Sequence, residues 1–447
     1  MGLKGWVAKW CCLGKDRSRR QFSDSEHPSD HKDAQFSPVK VVALRVTADE
    51  VSTKNGDHRA EIIARLRGQE IRVPDVGYIY TEWEARVHPD VEVLRHHLEG
   101  FFQAFISTES IRKKQRRVDN GLCVGQFYTH VETNKFLILG ELVAWFFFWD
   151  DEIDCGTLTN DREKTEAYCD DTLNFIRHCL QPEREGDVPA PGRLHNCGPW
   201  VSIGKAMNQG QSREARDRFA ETIYDFVLGV RTSQATWEQG ISTLESYTAR
   251  RLRTVGTNPC VAILQWAYGL TLPQSIWDHE AVVAITREVA ISDFLWNDIV
   301  SLRKEIDDSD IDSAIPVIVW NDGCSAQAAV DRCVKMVEQS WSRLLDAEKR
   351  LVQAHAGEEE QIRRDIETLV GGCKDIVVGH MVYSLKIPRN MAAAKMSEKD
   401  CSFRVVFPNE PRLGRLRGRS ASPTPYDDGD GRFGFSLKSK KGYTRTF

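Results

Sequence analysis

Six long stretches of this chain repeat apolar residues at three- and four-residue spacing: Val91 to Phe105, Phe136 to Asp154, Phe219 to Trp237, Ile285 to Arg303, Ala328 to Leu351 and Ile362 to Leu385. That period belongs to a helix, since residues three and four apart share one helical face, whereas a half-buried strand alternates at every second residue. No convincing alternation and no βαβ rhythm lies between them. The pattern predicts an all-α protein with a single α-helical bundle domain over residues 41–408. A Pro/Gly-rich interruption, Gln181 to Trp200, predicts a surface loop. Residues 1–40 are rich in Ser, Asp, His and Lys after Cys12, and residues 409–447 in Arg, Gly, Ser and Pro. Both are expected to be disordered basic extensions.

Charge narrows the partners. The 447 residues carry a net −5, but residues 1–40 hold 8 Lys/Arg against 5 Asp/Glu, and residues 410–447 hold 9 against 4. Residues 41–409 are left at −13. So acidic a body argues against a nucleic-acid partner, which would select a basic face. The longest apolar run, Phe136 to Trp149, contains Glu141 and is too short to span a bilayer, so no transmembrane segment is expected. Lys4 and Lys9 interrupt the first apolar stretch, which argues against a signal peptide, and Trp6 stands where a myristoylation motif needs Ser or Thr. The twelve cysteines are scattered with no CxxC pair, which points to a reducing, cytoplasmic setting and no zinc site. Gly2 to Leu13, with Trp6, Trp10 and the Cys11-Cys12 pair, could touch a membrane surface or accept palmitate; a plain disordered leader is the simpler reading. Nothing in the pattern fixes an oligomeric state.

Two acidic motifs carry chemistry. In Asp150-Asp-Glu-Ile-Asp154, at the end of an aromatic helix, Asp150 and Asp154 stand at i,i+4, where like charges repel. A hard divalent cation such as Mg²⁺ would offset that repulsion, taking carboxylate oxygens and keeping waters that a phosphate can replace. A solvated acidic helix end explains this motif alone as well. In Asn297-Asp-Ile-Val-Ser-Leu-Arg-Lys-Glu305, the residues Asn297, Ser301 and Glu305 form one stripe of one helix. An amide oxygen, a hydroxyl and a carboxylate in line make a three-point oxygen chelate. A mixed polar face of an amphipathic helix is the alternative.

With these motifs the chain resembles a class I terpene cyclase of the fungal sesquiterpene synthase type, over about residues 70–395. Asp150 to Asp154 is similar to that family's aspartate-rich motif, and Asn297 to Glu305, with Lys304, to its NSE motif. The resemblance implies metal ligation by Asp150, Asp154, Asn297, Ser301 and Glu305, with three Mg²⁺ ions in the family's manner. It further implies diphosphate binding by Arg251, Lys304, Arg389 and Asn390. Arg251 precedes the helix break expected at Gly256 and Pro259, and Arg250 and Arg253 compete for its role. The terminal pattern Gly379-His-Met-Val-Tyr383-Ser384 to Arg389-Asn390 departs from the family's, with Asn390 in place of a tyrosine and His380 where an asparagine is common. An Arg–phosphate contact survives both changes, but the tyrosine hydroxyl is replaced by an amide.

The implied activity is metal-dependent ionisation and cyclisation of a linear prenyl diphosphate, farnesyl diphosphate by default, to a sesquiterpene hydrocarbon or alcohol with release of diphosphate. Phe146 and Phe147, one turn before Asp150, and Phe294, before Asn297, are expected to wall the cation cavity, although helix-packing core is the competing role for each. No residue offers itself as the acid or base. A chain-elongating prenyltransferase of the same fold would carry two aspartate-rich motifs and consume isopentenyl diphosphate. A non-catalytic helical scaffold would leave the acidic face merely solvated.

Overall fold

The computed structural model describes residues 58–154, 158, 161–182, 197–237, 241–307, 311–391 and 394–407. The two extensions expected at residues 1–40 and 409–447 lie outside them, as does most of the Gln181 to Trp200 interruption. Its ends are described, and they are buried anchors rather than surface loop: Gln181, Cys197 and Trp200 are all fully enclosed, and Trp200 opens a helix.

Each expected helical stretch is a helix, with ends shifted by a few residues. After α1 (His58–Leu66) and β1 (Glu70–Val73), the chain forms α2 (Val91–Phe105), α3 (Glu109–Val118), α4 (Asn120–Phe127) and α5 (Thr133–Asp154). Next come α6 (Arg162–Leu180), α7 (Trp200–Asn208), α8 (Arg213–Trp237), α9 (Leu244–Thr254) and α10 (Thr257–Ala262). The short α11 (Leu264–Tyr268) and α12 (Gln274–Trp277) lead to α13 (Glu280–Asp307), α14 (Ala314–Asp322), α15 (Ala326–Ala354), α16 (Glu360–Ser384) and α17 (Pro388–Met391). Two strands, β2 (Ala394–Met396) and β3 (Phe403–Val406), close the described chain.

Two helices are apolar nearly all round and occupy the centre, as expected for helices with neighbours on every side. In α5, Trp145 and Trp149 are fully buried, and their indoles pack against each other and against Phe226 of α8. The Trp149 indole N–H, which would be costly to bury unpaired, donates to Thr172 Oγ1 on α6 at 3.0 Å. In α13, buried positions run from Ala281 to Ile306, and the helix packs on α9, α10, α14, α15 and α16. Outer helices show the one-sided pattern instead. On α2, Val91, Leu94, Leu98, Phe101 and Phe102 face inward.

No strands are expected from the apolar pattern, and here the fold differs. The three short strands form an antiparallel sheet in the order β1-β3-β2, with Ile71 opposite Val405 and Val73 opposite Phe403. Those four side chains are buried, so the sheet is an apolar patch laid on the bundle. It ties the start of the described chain to its end, and Arg303 of α13 hydrogen-bonds the Val406 carbonyl.

Candidate active site

The helix break expected near Arg251 is present. Chain direction changes at Gly256, whose φ of 80° is left-handed backbone open to glycine, between α9 and α10. Pro259 sits in the first turn of α10, where a missing N–H leaves no helical hydrogen bond unmade. The break turns the end of α9 toward a cavity of about 310 Å³ bounded by α4, α5, α8, α10, α13 and α16.

One wall is the C-terminal end of α5, with Asp150 and Asp151 on the cavity. Asp151 is held from the side by α3: Lys114 Nζ lies 2.7 Å from its Oδ1, and Gln115 Nε2 donates to its Oδ2 at 3.1 Å. The side chain of Asp154 lies outside the described residues. The facing wall is α13, where Asn297, Ser301, Lys304 and Glu305 all line the cavity. The Ser301 hydroxyl is 2.5 Å from Glu305 Oε1 and 2.7 Å from the Asn297 carbonyl, which fixes the stripe in place. Among the described residues no three Asp, Glu, His or Cys side chains already converge as a metal cage. The donors are split across two walls, with Asn and Ser completing a set of hard oxygens. That set fits Mg²⁺ rather than a softer metal.

Charge around the cavity is unbalanced. Asp150, Asp151, Asp293, Asp298, Glu305 and Asp312 line it, against Arg251 and Lys304 as permanent cations. Arg251 is half-buried, and its Nη2 stands 3.7 Å from Asp298 Oδ1. Burial opposes its charge, but Tyr247, Asp298, Asp312 and Glu305 hold the guanidinium above its ordinary value. Its Nε is buried with no hydrogen-bond partner among the described residues, so a donor remains for an anion. Asp298 stands behind it, taking the Tyr247 hydroxyl at 2.5 Å and the Ala314 N–H at 2.9 Å. Burial pushes its carboxyl up to about 6 in spite of Arg251 and those two donors. The two competing arginines are engaged elsewhere, Arg250 with Asp312 and Arg253 with Asp225. Asn390 reaches the cavity from α17, and the side chain of Arg389 lies outside the described residues.

Away from the carboxylates the walls turn apolar: Val143, Phe146, Phe147, Phe127, Phe226 and Val230. Phe146 stands edge-on to Phe226 at 5.0 Å. Phe294 is a correction. It does not line the cavity but is fully buried, edge-on to Tyr247 at 6.1 Å. On α13 the cavity stripe steps by four residues, so Asp293, not its neighbour, continues it from Asn297. Sequence reading missed Asp293, Asp298, Asp312, Thr257 and Phe226. The first could have been found by extending the stripe one turn back.

The family model "Terpene synthase family 2, C-terminal metal binding" matches residues 141–343, which contain both acidic walls and Arg251. The chain is 27% identical to terpene cyclase braA of Annulohypoxylon truncatum over 348 residues, 77% of this chain and 92% of that one. It is 22% identical to (+)-eremophilene synthase of Gibberella fujikuroi over 353 residues, 77% and 94% of the two chains. Among solved structures, α-eudesmol synthase superposes with a TM-score of 0.61 at 19% identity, covering 68% of this chain and 97% of that one.

Proposed function

We propose that this chain, a class I terpene cyclase, ionises farnesyl diphosphate with the help of Mg²⁺ and closes the resulting cation into a sesquiterpene. The observation that carries this reading is the two-ended cavity: oxygen donors and two cations at one end, aromatic and aliphatic side chains at the other. Relatives named as a terpene cyclase and a (+)-eremophilene synthase support the same substrate class. A cavity of about 310 Å³ falls within the range for small-molecule sites, about 300–1,000 Å³.

Asp150 with Asp154 on one wall, and Asn297, Ser301 and Glu305 on the other, would hold the metal. When bound, the ions supply positive charge against the diphosphate as it leaves. Arg251 and Lys304, joined by Arg389 and Asn390, would grip the same group. Asp298 and Tyr247 keep Arg251 aimed at it, so its donors are in place before the bond breaks. Phe146, Phe147 and Phe226 exclude water and offer π faces to the carbocation. No helix among the described residues is long and apolar enough to cross a membrane. The described cysteines are free thiols.

The test is direct. Purified protein with Mg²⁺ and farnesyl diphosphate should release inorganic diphosphate and a volatile C15 product. If farnesyl, geranyl and geranylgeranyl diphosphates are all inert, the proposal fails. Consumption of added isopentenyl diphosphate would instead mark a chain-elongating enzyme.

A further inference from the structure

A polar cluster lies beside the aromatic wall of the cavity. Asp293 lies one helical turn before Asn297 on α13, which places it about 6 Å further from the acidic end. It is only 4% exposed. Its Oδ2 accepts from the Thr257 hydroxyl on α10 at 2.8 Å. Its Oδ1 lies 3.3 Å from Nδ1 of His380 on α16, within ion-pair distance but off the line of a hydrogen bond. Neither of those two atoms has a hydrogen-bond partner among the described residues. All three side chains line the cavity.

The position of His380 is built. At Gly379 an added Cβ would stand 2.6 Å from the Gln126 carbonyl, so glycine lets α16 approach α4 closely enough to bring the next residue to the cavity. The ring of His380 stands edge-on to Phe127, with centroids 6.4 Å apart. Its Nδ1 is buried toward Asp293, which leaves the Nε2 edge for the cavity. A buried carboxylate and a histidine are costly to enclose beside the aromatic wall unless they serve each other or a ligand. An acid that faces Nδ1 favours the tautomer with its proton there and the lone pair on Nε2.

We propose that His380 is the base that ends the reaction, with Asp293 as its positioning residue. This rests on the cyclase reading above. Nε2 takes a proton from the carbon next to the cationic centre. The C–H bonding pair becomes the new C=C bond, the positive charge moves to the imidazolium, and Asp293 stabilises it. The proton passes to solvent when product leaves. Distance from the acidic end matters: a base beside the diphosphate would quench the first allylic cation, whereas one on the far side meets the chain only after it has folded. The wild-type product is then a hydrocarbon, not an alcohol.

The test compares product partition, normalised to diphosphate released, by gas chromatography. In His380→Asn the share of the principal hydrocarbon falls at least about tenfold, in favour of earlier-intercepted or water-captured products, in line with the usual contribution of a general base. Asp293→Asn shifts the partition the same way by less, and adds nothing further in the His380→Asn background, as expected for a residue that acts through another. Loss of packing alone would add. If His380→Asn does not fold, His380→Gln serves in its place. An unchanged partition, a wild-type product that is an alcohol, or a folded His380 variant that releases no diphosphate would each overturn the assignment while leaving the cyclase reading intact. A wild type inert with all three prenyl diphosphates would remove both.

Discussion

Tyr247→Phe removes one oxygen atom from the support behind Arg251 and leaves the ring packing alone. Tyr247 is fully buried, edge-on to Phe294, and its hydroxyl donates to Asp298 Oδ2 at 2.5 Å. The variant does not strip Asp298 of partners, because the Ala314 N–H stays at 2.9 Å and Arg251 Nη2 at 3.7 Å. What is lost is one charge-assisted hydrogen bond in a dry setting, worth about 1.5–3 kcal/mol against about 0.5–1.5 kcal/mol for a neutral one. Tyr128→Phe is the matched control, for Tyr128 is equally buried but its hydroxyl donates to a neutral acceptor, the Cys260 carbonyl, at 3.1 Å. Denaturant unfolding followed by circular dichroism should therefore show a loss of about 2 kcal/mol for Tyr247→Phe and about 1 kcal/mol for Tyr128→Phe. Calorimetric titration with inorganic diphosphate and Mg²⁺ should show weaker binding for Tyr247→Phe only. If the two variants lose equal stability and bind diphosphate equally well, Asp298 is not the charged anchor of Arg251 and this part of the mechanism is wrong.

Asp150→Ala and Asn297→Ala should each lower turnover by more than about 100-fold, the scale of losing a major electrostatic contribution, with the helical circular dichroism unchanged; normal product yield from either would remove the metal assignment. Arg251→Lys keeps the charge but loses the planar fork, so KM for the diphosphate should rise about tenfold, as measured by initial rates; an unaltered KM would return the role to Arg250 or Arg253. Gly379→Ala places a methyl 2.6 Å from the Gln126 carbonyl and should cost about 1–3 kcal/mol in denaturant unfolding. A neutral result would show that α16 and α4 have slack at their crossing.

Much of the molecule was legible because it is local. Helical periodicity marked α2, α5, α8, α13, α15 and α16, and a four-residue step placed Asn297, Ser301 and Glu305 on one face before any neighbour was known. A glycine and a proline marked the break after α9, since both act through their own backbone. Where an expectation rested on which way a helix faces, it was less secure. Phe146 and Phe147 reach the cavity and Phe294 does not, because the rotation of α13 is set by α15 and α16 packed against it, not by its own residues. Which of Arg250, Arg251 and Arg253 faces the cavity depends on where Asp312, Asp298 and Asp225 stand, three acids on three other segments.

The small sheet shows the same division. Glu70–Val73 and Phe403–Val406 are each four residues long, too short to display a period, and each becomes a strand only because the other end of the chain lies beside it. Asp293 and His380 are likewise an unremarked acid and a motif departure when read singly, and a pair only after α13 and α16 meet. By itself, then, the sequence determined the helices and the stripes of chemistry on them, because a side chain's place on its own helix follows from a fixed rotation per residue. Only the tertiary structure decided which stripes face one another across the cavity, because that depends on packing between segments that no local period encodes.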